Sequence, residues 1–166
     1  LTALNNGVAV TSGSWTVSYE LFFPANYAGG AHMYFSQTAM ISFRDGVWLH
    51  GRGSDGTLRY GVDGADSIGL VFDAWGEVRL EINLDADTVA AYYNGTQFHT
   101  GAWDDNGDAE TLTPGIGGLN FWADGSGTAA LSGAFYIDDL SLTPEPATMS
   151  LLALGGLAVL RRRRRQ

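Results

Sequence analysis

The sequence predicts an all-β fold, an antiparallel β-sandwich of the jelly-roll type, for residues 1–142. Apolar and polar residues alternate in several short segments, which is the pattern of half-buried strands. Many of the 23 glycines fall between these segments, where turns are required. No segment before residue 143 has a convincing helical period. Many short strands separated by turns are typical of a sandwich or jelly roll.

The clearest predicted strand lies at residues 78–84, where aliphatic side chains alternate with charged and polar ones. Asn94-Gly95 is the strongest two-residue hairpin signal, and it separates the predicted strands 89–93 and 96–99. Asp45-Gly46 predicts a second hairpin turn in the same way. The remaining predicted strands are residues 15–23, 41–44, 47–49 and 135–142.

Residues 1–142 are strongly acidic. They hold four of the nine arginines and all of the 18 carboxylates except Glu145, and the chain has no lysine, so their formal charge is 4 − 17 = −13. Such a surface repels phosphates, so we expect no nucleic acid among the partners. The chain has no cysteine, which excludes disulfides, thiolate metal sites and cysteine nucleophiles.

Residues 143–166 form a tail that differs in composition from the domain before it. Pro144-Glu145-Pro146 stands at its start, and an apolar run follows at residues 147–160. This run of 14 residues predicts a short hydrophobic helix of about 21 Å, against roughly 30 Å of membrane hydrocarbon. A basic cluster after the run is expected on the cytoplasmic side of the membrane as an anchor. The cluster consists of Arg161, Arg162, Arg163, Arg164 and Arg165.

These three features, in this order at the C-terminal end, resemble the PEP-CTERM sorting signal of bacteria that make exopolysaccharide. The resemblance implies that exosortase, a membrane-embedded cysteine transpeptidase, cuts near Pro144-Glu145-Pro146. It therefore implies export, a transient inner-membrane precursor, and a final position at the cell surface or in the extracellular matrix. Because a sorting tail serves only an exported chain, we expect a signal peptide in the precursor. The alternative is a permanent single-pass anchor, for which the apolar run is short.

Three segments of the domain, residues 75–85, 92–95 and 135–142, resemble the concanavalin A-like (laminin-G-like) jelly roll. In that superfamily a strand opens on Trp, a hairpin carries Tyr-x-Asn-Gly, and the last strand reads Ile-Asp-Asp-hydrophobic, as these segments do. The resemblance implies the fold. It leaves the function open among lectins, glycanases, adhesion modules and spacers.

Two groups of oxygen side chains are candidate ligands for a structural calcium ion. Asp138 and Asp139 have opposite parity in the last predicted strand, so one carboxylate falls in the buried register unless a bulge intervenes. The jelly-roll resemblance implies Asp138 as the calcium ligand there. Asp104, Asn106 and Asp108 occupy alternate positions of an acidic segment, and such side chains can converge on one hard cation. Solvated acids without a metal are the alternative for both groups.

Trp48, Trp103 and Trp122 are candidate ligand-binding residues, because they lie near predicted loops or on the parity opposite the aliphatic residues. Flat rings on a rigid sandwich can stack on the apolar face of a sugar. Trp15 and Trp75 are expected in the core instead. The histidines are isolated in the sequence, and each is expected at the surface or in a turn; they are His32, His50 and His99.

The sequence thus predicts an exported, non-catalytic binding or structural module of the envelope or exopolysaccharide matrix, with extracellular polysaccharide as the candidate ligand. One alternative is an enzyme acting on polysaccharide. Glu81 and Asp85 fall on the solvent-facing parity with Asn83 between them, unlike a paired set of catalytic carboxylates. The second alternative is an ice-binding protein, since proteins with this tail are sometimes named for the C-terminal region of ice-binding proteins. The threonines show no regular spacing that would favour it.

Overall fold

The computed structural model describes residues 2–3, 9–36, 46–61, 64, 66–103, 115–124 and 134–145. Within these ranges the chain forms two antiparallel sheets that face each other as a sandwich, and no helix. The fold class predicted from the sequence is therefore confirmed. The six-stranded sheet has the order β1 (Thr2–Ala3), β10 (Gly118–Asp124), β3 (Gly30–Ser36), β4 (Gly46–Arg52), β5 (Thr57–Tyr60), β6 (Asp66–Gly69). The five-stranded sheet has the order β11 (Tyr136–Pro144), β2 (Ser14–Phe22), β7 (Trp75–Asn83), β8 (Thr88–Tyr93), β9 (Thr96–Gly101).

The core lies between the two sheets and is built from one parity of each strand. In the five-stranded sheet, β2 and β7 bury every second side chain, as their alternation predicts. Fully burying one such aliphatic side chain stabilises the fold by about 1.5–3 kcal/mol. At position 76 in β7 only glycine fits, because the Tyr93 ring occupies the space that a Cβ atom would need. The buried residues of these two strands are Val17, Tyr19, Leu21, Val78, Leu80 and Ile82.

The hairpin between β8 and β9 turns at Asn94 and Gly95, as predicted. Their φ angles are +48° and +75°, so both residues adopt the left-handed conformation that a type I′ turn requires. The Asn94 Oδ1 atom also accepts a hydrogen bond of 2.9 Å from the Glu77 N–H. This side-chain contact joins the turn to the neighbouring strand β7 and fixes the pairing register.

Several strands of the six-stranded sheet were not predicted. The structure shows β3, β5, β6 and β10, and β3 pairs with β4 along its whole length. Residues 30–35 in β3 are all buried, so apolar and ring side chains occupy both faces and no polar alternation marks the strand. The predicted strand 41–44 and its Asp45 turn residue lie outside the described residues.

The last strand contains a β-bulge. Its register against β2 shifts between Asp138 and Ser141, and Asp139 has a φ angle of +52°. The bulge turns both Asp138 and Asp139 to solvent, together with Leu140. In a regular strand one of these two carboxylates would face the core; because of the bulge, neither does.

The predicted tail helix, Pro146 and the arginine cluster lie outside the described residues. Among the described residues no helix is long and apolar enough to cross a membrane.

Candidate functional site

Five ring side chains cover the outer face of the six-stranded sheet and form what we call the ring platform. In β3, two of these rings alternate with core residues such as Ala31 and Met33, so the strand points core side chains inward and rings outward. The pairing register places the rings side by side on three adjacent strands. The platform consists of His32 and Tyr34 from β3, Trp48 and His50 from β4, and Trp122 from β10.

The platform rings stack face to face across the strands. Tyr34 lies between the two tryptophans, with ring centroids 5.0 Å from Trp48 and 4.7 Å from Trp122, and interplanar angles of 16° and 14°. His32 stacks on His50 at 4.1 Å and on Trp122 at 5.0 Å. These distances are close to the spacing of neighbouring strands, so the ring planes stand upright on the sheet. The rings of His32 and Tyr34 on the central strand β3 are buried, whereas Trp48, His50 and Trp122 are half-buried.

Trp48 stands at one end of the row of rings, with Tyr34 stacked on one of its faces. Its backbone carbonyl accepts a 2.9 Å hydrogen bond from the N–H of Gly61, which is its neighbour beyond β5. Because Gly61 has no side chain, the ring face of Trp48 that turns away from Tyr34 has no cross-strand side chain from that position against it. The indole N–H of Trp48 donates to Nδ1 of His32 at 3.2 Å, which fixes the orientation of the indole.

A polar margin borders the platform along β4 and β5. Asp55 forms ion pairs with Arg59 at 2.5 Å and with Arg52 at 3.6 Å. Thr57 donates to Asp55 at 2.6 Å and accepts from the Arg59 Nε–H at 3.0 Å. Burial raises the pKa of Asp55, but the hydrogen bond from Thr57 and the charges of Arg59 and Arg52 outweigh it, so the pKa falls below its ordinary value. Asp55 is therefore ionised and joins the two guanidinium groups, and the sheet register places Arg59 opposite His50 of the platform.

The three predicted ligand-binding tryptophans have different places in the structure. Trp48 and Trp122 belong to the ring platform, although β3 separates their strands. Trp103 was predicted wrongly, because it is only 1% exposed and packs in the core. A ring enclosed in this way has no face available for a ligand from solution. Its backbone N–H donates to Asp87 at 3.2 Å, which holds the segment after β9 against the sandwich.

The expectations for the other rings also need correction. Trp75 was expected in the core but is 48% exposed, since it stands on the outer parity of β7. His32 and His99 were expected at the surface or in turns, yet both lie within strands and are buried. His99 stacks on Tyr60 and contacts Asp66 at 2.7 Å, so it joins the edges of the two sheets. His32 and His50 are functional candidates that the sequence-based reasoning missed; their shared parity with Tyr34 and Trp48 was the available signal.

The structure tests neither candidate calcium site, although Asp138 does not occupy the buried position that suggested a ligand there. Asp138 is exposed, and its Oδ1 atom accepts a hydrogen bond of 2.9 Å from the N–H of Asp139. Within the described part of the chain, no three His, Cys, Asp or Glu side chains come together in a way that could hold a metal ion. Asp104, Asn106 and Asp108 lie outside that part, so calcium binding there stays a prediction.

The C-terminal segment matches a family model. Residues 142–165 match the PEP-CTERM protein-sorting motif, as the three features of the tail predict. This motif implies an exported protein that exosortase sorts and that is associated with the membrane before cleavage. The search of curated proteins found no match to the chain.

Solved structures resemble the domain in fold. One is a sialidase, with a TM-score of 0.57 and 13% identity over 83% of this chain and 14% of that chain. Another is a GH131 β-glucanase catalytic domain from Podospora anserina, with a TM-score of 0.50 and 16% identity over 82% of this chain and 60% of that chain. A third is an alginate lyase from Corynebacterium sp., with a TM-score of 0.50 and 14% identity over 82% of this chain and 61% of that chain. At these identities the likeness shows a shared β-sandwich fold alone, and this chain spans less than two thirds of each of these proteins.

Proposed function

We propose that this protein is an exported module that binds an extracellular polysaccharide at the ring platform and catalyses no reaction there. The observation that carries the proposal is the row of Trp48, Tyr34 and Trp122 on an outer sheet face, in which each tryptophan has one ring face turned away from Tyr34. Sugars present apolar C–H faces to aromatic rings and hydroxyl groups to polar neighbours. After sorting by exosortase, such a module would lie at the cell surface or in the extracellular matrix.

The surroundings of the platform support a sugar more than an apolar ligand. Arg59 lies opposite His50 in the sheet register, and Asp55 joins it to Arg52. Guanidinium groups donate hydrogen bonds to hydroxyl or carboxylate oxygens. Stacked rings need no rearrangement when a ligand arrives, so little conformational entropy is lost on binding. Matrix polysaccharides are repetitive chains, and a row of half-buried rings can contact consecutive sugar units.

A direct binding experiment tests the proposal. The full chain is titrated with neutral and acidic polysaccharides, and binding is measured by isothermal titration calorimetry. We expect saturable binding that falls at least about tenfold in Trp48→Ala and in Trp122→Ala, as for central aromatic residues of other interfaces. Trp75→Ala is the matched control, because it removes an exposed ring from the opposite sheet. Equal losses in all three variants, or no binding to any polysaccharide, would contradict the proposal.

The non-catalytic part of the proposal is confined to the ring platform, since the neighbouring carboxylates of Asp138, Glu20 and Glu77 lie on the other sheet. Glu81 contacts Arg79 and accepts a hydrogen bond of 3.1 Å from the Tyr92 hydroxyl, and Asp55 is held by two arginines. A glycosidase needs two carboxylates facing one substrate. The measurement is release of reducing ends or of unsaturated sugars from each bound polysaccharide. Turnover that disappears in Glu81→Gln would overturn this part and leave the binding part standing.

A further inference from the structure

The first two residues of the sorting signature, Pro144 and Glu145, are attached to the folded domain. Pro144 is the last residue of β11 and stands opposite Trp15 of β2. The Glu145 N–H donates to the Ser14 carbonyl oxygen at 2.9 Å. The Thr16 hydroxyl donates to the Glu145 carboxylate at 2.5 Å, in a part-buried position. Both the backbone and the side chain of Glu145 are therefore bound by β2.

The signature has one backbone N–H group, and β2 uses it. Because the Glu145 N–H points toward β2, the nitrogen of Pro144 points toward the open edge of the sheet, where a missing donor has no cost in the ladder. Pro146 is a proline as well and has no N–H whatever its placement. Within Pro-Glu-Pro, an enzyme can therefore accept a backbone N–H hydrogen bond from Glu145 alone. In the folded domain that N–H, like the carboxylate, already has a partner.

We propose that the folded sandwich restrains its own processing, because exosortase must compete with β2 for Glu145. The signature becomes available only when the end of β11 separates from Ser14 and Thr16. Within the described residues β11 has a neighbouring strand on one side only, so its end can separate without opening the core. The inference rests on the proposed processing by exosortase, and it adds that the domain sets the rate.

The substitution Thr16→Val tests the inference, because it removes the hydroxyl donor and keeps the shape of the side chain. The loss of one hydrogen bond should raise the separated fraction, and with it the rate of tail removal, by about three- to tenfold. The full chain is produced in a host that has an exosortase, and loss of the tail is followed over time. Hydrogen exchange of the Glu145 amide in the purified full chain should rise by a similar factor.

Thr96→Val provides the matched control. It makes the same chemical change at an exposed position of the same sheet, at the hairpin end beside Tyr93 and Gly95 and away from the signature, so both rates should stay unchanged. Faster amide exchange without faster tail removal would overturn the inference, as would unchanged exchange in Thr16→Val. If no form of the chain lost its tail, the proposed processing itself would fail, which separates the two results.

Discussion

The outer faces of the two sheets both carry aromatic rings, but they arrange them differently. On the six-stranded sheet the rings stack in parallel, and Tyr34 lies within 5.0 Å of both tryptophans. On the five-stranded sheet the ring centroid of Phe22 lies 5.5 Å from that of Trp75 and 6.0 Å from that of Tyr136. The ring planes are tilted by 54° and 66°. Parallel stacking covers ring faces and fixes their orientation, whereas tilted rings on an open sheet remain exposed.

The charges around the two groups of rings also differ. Next to the ring platform, Arg59 lies opposite His50 in the register, and Asp55 joins Arg59 to Arg52. On the five-stranded sheet, Glu20 stands directly between Asp138 and Glu77 on the two neighbouring strands. Like charges in opposite positions of a ladder repel one another and any acidic ligand. Ring content alone therefore does not define a binding surface. The fixed stack and the neighbouring arginine Arg59 distinguish the platform.

The largest expected effect is the loss of stability when a ring is removed from the core instead of from an outer face. Trp103→Ala should lower the free energy of unfolding by about 3–5 kcal/mol, because it leaves a cavity in the place of a fully buried ring. Trp75→Ala should change it far less, since the ring is half exposed. Urea denaturation followed by tryptophan fluorescence or circular dichroism measures both. Equal losses would mean that Trp103 is not enclosed as the structure shows.

The second prediction concerns the stack itself. Tyr34→Leu should weaken polysaccharide binding by about three- to tenfold, although Tyr34 is buried and only its neighbours would meet the ligand. The physical reason is that Trp48 and Trp122 lose the ring between them and with it their fixed orientation. Titration calorimetry measures the affinity, and a melting curve verifies that the variant is folded. Unchanged affinity in a folded variant would show that each tryptophan acts independently of the stack.

A smaller effect is expected in the polar margin. The pKa of Asp55 is lowered in the folded state from its ordinary value of 3.8, so ionised Asp55 stabilises the fold above that pH. The contribution is lost as the pH falls through the lower folded-state pKa. Asp55→Asn should therefore be less stable than the parent chain at neutral pH by below about 1 kcal/mol, because the ion pairs are partly exposed. Unfolding measured between neutral pH and about pH 2 should show this difference disappear only in acid.

The smallest effect is expected for the acidic residue Asp138 on the outer face of the five-stranded sheet. Asp138→Ala should change the melting temperature by no more than about 2 °C, since the side chain is exposed on the bulge. Calcium or EDTA should not alter this difference. If calcium does raise the melting temperature of the parent chain, we expect Asp108→Asn in the acidic segment to abolish the rise. A calcium effect that Asp138→Ala removes would restore the bulge as the metal site.

The two sheets differ as well in how far the sequence predicts them. Strands β2, β7, β8, β9 and β11 were predicted, because one face meets the core and the other meets water. In β3 the outer face carries buried rings, so both parities are apolar and the period of two is hidden. The strand β3 was therefore missed in the region of the candidate binding site, because the ring side chains that form the platform also hide the alternation of apolar and polar residues.

The sequence by itself determined the sandwich class, the Asn94-Gly95 hairpin and the sorting signal, because parity, turn conformation and the composition of a tail are local properties. Only the tertiary structure decided which tryptophans share a surface, and that Thr16 binds Glu145 across 129 residues of chain. It also turned Asp138 outward by a bulge that no residue pattern had fixed. These outcomes depend on which strands become neighbours and in what register, and cross-strand pairing is a property of the whole folded chain.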